Sequence, residues 1–191
     1  MTTGIPEAPA SVRHTFFERL LGALRLDAAT YEEVEHDEGA LGQAAGVVVL
    51  AALAAAIGTA TRGDGGAVGA VFGAVAGWLI STAFVWVIGV RWMNHTSDYR
   101  ELLRTLGFAS APQVLFVASG IPVVGMLIAA VAWGWGLAAF VVAVRQALDV
   151  TTGRALWVCV LAVLLNAACI LGLALLLGGL TCGSGAPGTM G

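Results

Sequence analysis

Hydrophobic and polar positions alternate along this chain in long blocks rather than in short periods. No charged residue occurs in windows 39–61, 65–90, 105–144 and 155–191, which hold 23, 26, 40 and 37 residues. A helix that crosses the hydrocarbon core needs about 20 apolar residues at ~1.5 Å rise each. A charge near the bilayer centre costs roughly 2.5–3.5 kcal/mol. The windows therefore predict membrane-spanning helices; a water-soluble bundle of this length would need polar outer faces. The first span is expected over 39–60 and the second over 67–92. The 40-residue window has room for two crossings, so Gly120-Ile121-Pro122 must be a hairpin. The third helix starts at Ser97 or Asp98, where Asp98 and Glu101 have capping-box spacing. Pro112 should kink it and the Gly-Ile-Pro turn should end it. The fourth span is expected over 123–145, and the fifth from Thr152 or Gly153 to Gly178-Gly179. The expected fold is an all-α membrane protein with five transmembrane helices, preceded by an amphipathic helix at the membrane interface.

That amphipathic helix is read from "SVRHTFFERLLGALRLD". At 100° per residue, Val12, Phe16, Phe17, Leu20, Leu21 and Leu24 share one half of the wheel, opposite His14, Glu18, Gly22 and Arg25. Such a helix lies in the interface or against the bundle. The expected organisation is a disordered segment 1–10, an amphipathic region 11–38, a five-span membrane domain 39–179 and a flexible tail 180–191. Just before the first span, "TYEEVEHDEG" concentrates Glu32, Glu33, Glu35, Asp37 and Glu38 around His36. Thr30 and Glu33 have capping-box spacing, and early acids suit a helix dipole. The run is expected to open one continuous helix over 31–60, ~45 Å long, and to leave a negative patch for a protein partner.

Composition sharpens this picture. Charged residues make up 11% of the chain, less than half the ~25% of soluble domains. All nine bases are arginine. With abundant alanine and glycine, this suits a high-GC coding sequence and hints at a bacterial source. With the N-terminus inside, eight arginines fall on inner segments and only Arg62 on an outer one. The positive-inside bias thus predicts a multi-pass protein of the cytoplasmic membrane, N-terminus in and C-terminus out. Trp92 and Trp157 are expected at the inner interface, and Trp133 and Trp135 between helices.

Helices in lipid associate by close packing and interhelical hydrogen bonds. Gly65, Gly69, Gly73 and Gly77 recur every four residues, and Ser81 continues the row. This smooth face suits either a homo-oligomer seam or packing against Ala51, Ala55 and Gly58 of the first span. Gln113 and Asn166 are the intramembrane amides. Each suits an interhelical hydrogen bond or a solute pathway.

Groups that could carry chemistry are few. Glu33 and His36 form an ExxH pair, but di-iron bundles need a second such pair and further glutamates from other helices. Glu32 and His36, one turn apart, would hold a divalent ion only weakly. His14, His36 and His95 all fall outside the spans, so no intramembrane serine has a base. "TRGDGG" lacks the Lys-Ser/Thr ending of a phosphate loop. Cys159 and Cys169, ten residues apart on one helix, are too distant to bridge. We expect no enzyme, no metal, no cofactor and no nucleic-acid partner.

Three stretches carry a resemblance: "FFERLLGALRLDAATYEEVEHDEGALGQAAGVVVL", "YRELLRTLGFASAP" and "AVRQALDVTTGRAL". They resemble prokaryotic members of the Yip family, whose eukaryotic members are named for interacting with Ypt/Rab GTPases. The resemblance covers roughly residues 13–178. It implies five spans, a cytoplasmic N-terminus, a short outer C-terminus and, in eukaryotes, roles in trafficking and organelle shape. Gly107-Phe108-x-x-x-Pro112 resembles the family's Gly-Tyr…Pro signature, with Phe in place of Tyr. The acidic, aromatic Gly-Pro motif of eukaryotic members has no counterpart here. The expected function is a non-enzymatic membrane adaptor or organiser in contact with the lipid bilayer, a cytoplasmic protein partner and further copies of itself. The alternative is a small oligomeric transporter or channel subunit using Pro112-Gln113 and Asn166.

Overall fold

The computed structural model describes residues 14–63, 66–92 and 97–182. The segment 1–10, the residues after Cys182, His95 and Gly65 of the glycine row lie outside the described residues. Among these residues all regular structure is helical. In chain order the α-helices are α1 (Phe16–Leu24), α2 (Ala28–His36), α3 (Ala40–Thr61), α4 (Ala67–Trp86), α5 (Tyr99–Phe108), α6 (Gly125–Ala147) and α7 (Thr152–Cys182). A π-helical turn, Val87–Trp92, prolongs α4, and a 3-10 helix, Ala111–Gly120, follows α5.

α3 is the central span. Ala40, Ala44, Val47, Ala51 and Gly58 form one buried stripe of small side chains, so neighbouring backbones come close. A Cβ on Gly107 of α5 would sit 2.7 Å from the Ala44 side chain. A Cβ on Gly58 would collide with the Phe116 carbonyl and Ser119 of the 3-10 helix. These contacts show how the third crossing is made. Pro112 has no N–H and clashes with the carbonyl four residues back, and α5 does end at Phe108. The chain bends by 41° and continues as 3-10 helix. At ~2.0 Å per residue, ten residues of 3-10 helix reach ~20 Å. Gly107 lies beside Ala44 near the start of α3, and Gly120 lies against Thr61 at its end. α5 and the 3-10 helix together therefore traverse the depth of α3. With the four helices long and apolar enough to cross alone, they make five crossings. Asp98 caps α5 as expected, its N–H donating to Glu101 Oε2 at 2.8 Å.

α1, α2 and the start of α5 cover the end of the bundle where α3 begins, which we call the capped end. Here the structure corrects several expectations. α1 starts at Phe16, because Thr15 and Glu18 form a reciprocal capping box, a T-x-x-E signal passed over in the sequence. Its C-terminus closes in a Schellman arrangement: Leu26 takes φ 60°, and the Asp27 N–H donates to the Gly22 carbonyl at 3.0 Å. α2 and α3 are not one continuous helix. Asp27, not Thr30, caps α2; Thr30 lies inside the helix and donates to Asp27 Oδ2 at 2.9 Å. The backbone turns extended at Asp37, whose carboxylate is drawn to Arg19 of α1 and accepts from the Gly39 N–H at 3.0 Å. Trp133 and Trp135 are not packed between helices: they are 60% and 39% exposed, and the Trp135 indole donates to the Leu24 carbonyl of α1 at 2.9 Å. Finally, α7 continues to Cys182, past Gly178-Gly179. Glycine costs a helix ~1 kcal/mol, less than freeing backbone groups in lipid, where no water replaces their partners.

Candidate functional site

At the capped end the acidic run divides in two. Arg19, whose side chain is 2% exposed, donates from Nε and Nη2 to Glu33 Oε1 at 3.1 and 2.8 Å. Nη2 also reaches Asp37 Oδ2 at 2.7 Å, and Nη1 reaches Gln43 Oε1 of α3 at 3.1 Å. One guanidinium thus ties α1, α2 and α3 together. His14 joins from the other side, its Nδ1 at 2.5 Å from Glu33 Oε2. Burial pushes the Glu33 carboxyl up, but the hydrogen bonds from His14 and Arg19 outweigh it and hold the group below its ordinary value. The same contact raises His14. Glu32, His36 and Glu38 remain exposed.

Glu35 differs from both groups. It is half-buried, and burial foremost pushes it up to about 7. Asp149, Glu101 and Glu32 add like-charge repulsion, while neighbouring His36 opposes it. Its backbone carbonyl accepts from Arg104 Nη2. Arg104 is itself buried, and its Nε has no partner. Among the described residues no three His, Cys, Asp or Glu side chains gather as metal ligands.

Each residue of the Gly-Phe-x-x-x-Pro motif has a packing task. Gly107 admits Ala44 of α3. Phe108 is fully buried and holds the Phe16 ring of α1, with ring centroids 6.5 Å apart. Pro112 sits in the first turn of the 3-10 helix. The motif therefore joins the cap to the third crossing.

A second site lies within the membrane depth. The glycine row does not pack on α3: a Cβ on Gly69, Gly73 or Gly77 would meet nothing within 4 Å. Gly73, Gly77 and Ser81 instead line one wall of a cavity of about 410 Å³. Gln113 of the 3-10 helix, Trp133 and Phe140 of α6, and Asn166 of α7 line the others. Asn166 Nδ2 donates to Ser81 Oγ at 2.6 Å, joining α7 to α4. Gln113 lies over Gly136, whose Cβ position is 3.8 Å from its amide nitrogen. Its side chain makes no hydrogen bond among the described residues. Sequence reasoning had singled out the glycine row, Gln113 and Asn166 separately; the structure brings Gly73, Gly77, Ser81 and both amides to one groove. It missed Arg19 as a hub, since the partners stand 14, 18 and 24 residues away on other helices.

An all-helical bundle with five apolar crossings and a polar cap defines a multi-pass membrane protein. The Yip1 domain profile matches residues 22–176, and the chain belongs to the Yip1-domain family. No curated protein and no solved structure matches it.

Proposed function

We propose that the protein is a non-enzymatic membrane organiser of the cytoplasmic membrane, with the capped end in the cytoplasm, and that this end presents acidic side chains to a protein partner. The carrying observation is the division of the acidic run. Glu33 and Asp37 are held by Arg19, whereas Glu32 and Glu38 point into solvent beside His36. Exposed carboxylates on a framework fixed from within are suited to steering a basic partner surface. Arginine placement supports the orientation: Arg19, Arg25, Arg91, Arg100, Arg104, Arg145 and Arg154 belong to segments at the capped end, and Arg62 to the far one. The test is crosslinking in native membranes followed by partner recovery, comparing the parent with Glu32→Gln/Glu38→Gln. Recovery should fall while insertion and yield stay the same; equal recovery would count against the reading.

One observation favours a second reading, a small oligomeric transporter or channel subunit. Gln113 on a 3-10 crossing faces a cavity that Asn166 also lines, as broken helices do where they border a solute site. Solute flux into proteoliposomes that Asn166→Leu abolishes would replace the first reading with this one.

A further inference from the structure

The groove between α4, the 3-10 helix, α6 and α7 has the size and lining of a ligand site. Its volume is about 410 Å³, within the ~300–1,000 Å³ of small-molecule pockets, which are mostly apolar with a few placed polar groups. No lining residue is ionisable, so a charged guest would lose its hydration without compensation. A guest without polar atoms would leave the Gln113 amide unpaired at membrane depth, which is itself unfavourable. Trp78, Phe116, Trp133 and Phe140 supply broad apolar faces around that amide. Phe72, Trp133 and Ile170 on the helices around the groove are exposed, so a guest would enter sideways from the bilayer.

We infer that this groove binds a neutral, bilayer-dissolved amphiphile whose uncharged hydroxyl or carbonyl group pairs with the Gln113 amide near the Asn166–Ser81 hydrogen bond. The inference rests on neither functional reading above, because the guest is bound and not carried, and it contacts no acidic residue of the cap. The glycines make it testable without disturbing the fold, since a side chain at Gly77 would enter open space.

The protein in phosphatidylcholine nanodiscs would be photolabelled with a diazirine fatty alcohol, and separately with the matching fatty acid at a pH where it is ionised and with the matching alkane. Labelled positions would be mapped by peptide sequencing. The alcohol should label groove residues of α4, α6 and α7, and unlabelled alcohol should compete. The ionised acid should label them less. Gly77→Leu should lower groove labelling about tenfold by filling the space, equivalent to loss of ~1.4 kcal/mol of affinity. Gln113→Leu should erase most of the preference for alcohol over alkane, about fivefold for one hydrogen bond. Gly73→Leu serves the same purpose should Gly77→Leu fail to accumulate. Labelling spread evenly over the lipid-facing surface, or equal labelling by alcohol and ionised acid, would overturn the proposal. So would a Gly77→Leu protein that keeps its labelling but halves its mass by light scattering; a second copy would then be the occupant.

Discussion

Two polar side chains, Arg19 at the capped end and Gln113 in the mid-membrane groove, are placed in opposite ways. At the cap, Arg19 is almost fully enclosed, and each of its nitrogens finds an oxygen on another segment. In the groove, the Gln113 side chain makes no hydrogen bond among the described residues, and glycines face open space. The spans differ in the same direction: 39% of the apolar window of α3 is buried, against 17% for α4. The reason is the solvent. Where water reaches the chain, burying a charge requires compensation, so the cap closes around its guanidinium. Where lipid surrounds it, apolar surface has little reason to withdraw, so α4 stays open.

The strongest way to break this contrast is to remove the hub. Arg19→Met leaves Glu33 and Asp37 without their shared partner. Breaking a buried pair costs ~3–5 kcal/mol. These carboxylates keep 23% and 24% exposure and recover some hydration, so we expect a loss of roughly 2–3 kcal/mol. The loss should fall on α1. Limited trypsin digestion in detergent should cut at Arg25 at least about tenfold faster than in the parent, as expected for local opening. An unchanged cutting rate would mean that Phe16 against Phe108 and Trp135 against Leu24 hold α1 without the ion cluster.

Much of the membrane domain was legible in the sequence because lipid leaves few alternatives. With no water to satisfy the backbone, a charge-free window long enough to cross must be a helix. Four such windows, the kink at Pro112 and the Gly120-Ile121-Pro122 turn therefore specify the spans. The proline effect is local, so the kink between α5 and the 3-10 helix could be read from Pro112 alone. The Thr15-x-x-Glu18 cap was equally local and was available to be read. The break at Asp37 was not, since it depends on Arg19 reaching across from another helix. Nor was the groove: its walls come from α4, α6, α7 and the 3-10 helix. No periodicity within one helix says which face its neighbours leave uncovered. Gly69, Gly73 and Gly77 suited a face for the first span and are, among the described residues of this chain, uncovered.

Two glycines on neighbouring spans sharpen the contrast at smaller cost. Gly58 of α3 touches backbone: a Cβ would strike the Phe116 carbonyl and Ser119. Gly58→Ala should therefore destabilise the third crossing by about 1–3 kcal/mol, as overpacking does. Gly73→Ala meets nothing within 4 Å and should be neutral, or gain up to ~1 kcal/mol from helix propensity. Unfolding of the two variants in parallel, in the same detergent, decides the matter. Equal losses would mean that α4 is covered by a second copy after all.

The smallest expected effect is a pH dependence confined to the cap. Glu35 is pushed up to about 7 from its ordinary 4.5, by burial first and then by Asp149, Glu101 and Glu32. A carboxyl raised on folding keeps a proton that the unfolded chain has released. Its contribution is complete below about 4.5 and is lost as pH rises through about 7. His14 and His36 are also raised and slope the same way, so the informative quantity is the difference between variant and parent. Glu35→Gln should flatten the stability curve between those two values. Above about 7 it should leave the variant more stable than the parent by roughly 1 kcal/mol, a figure kept small because solvent reaches the group. The groove has no ionisable lining residue, so amphiphile labelling should not change across the same range. A labelling profile that followed the Glu35 transition would show that the cap and the groove are coupled, and the division drawn between them would have to be given up.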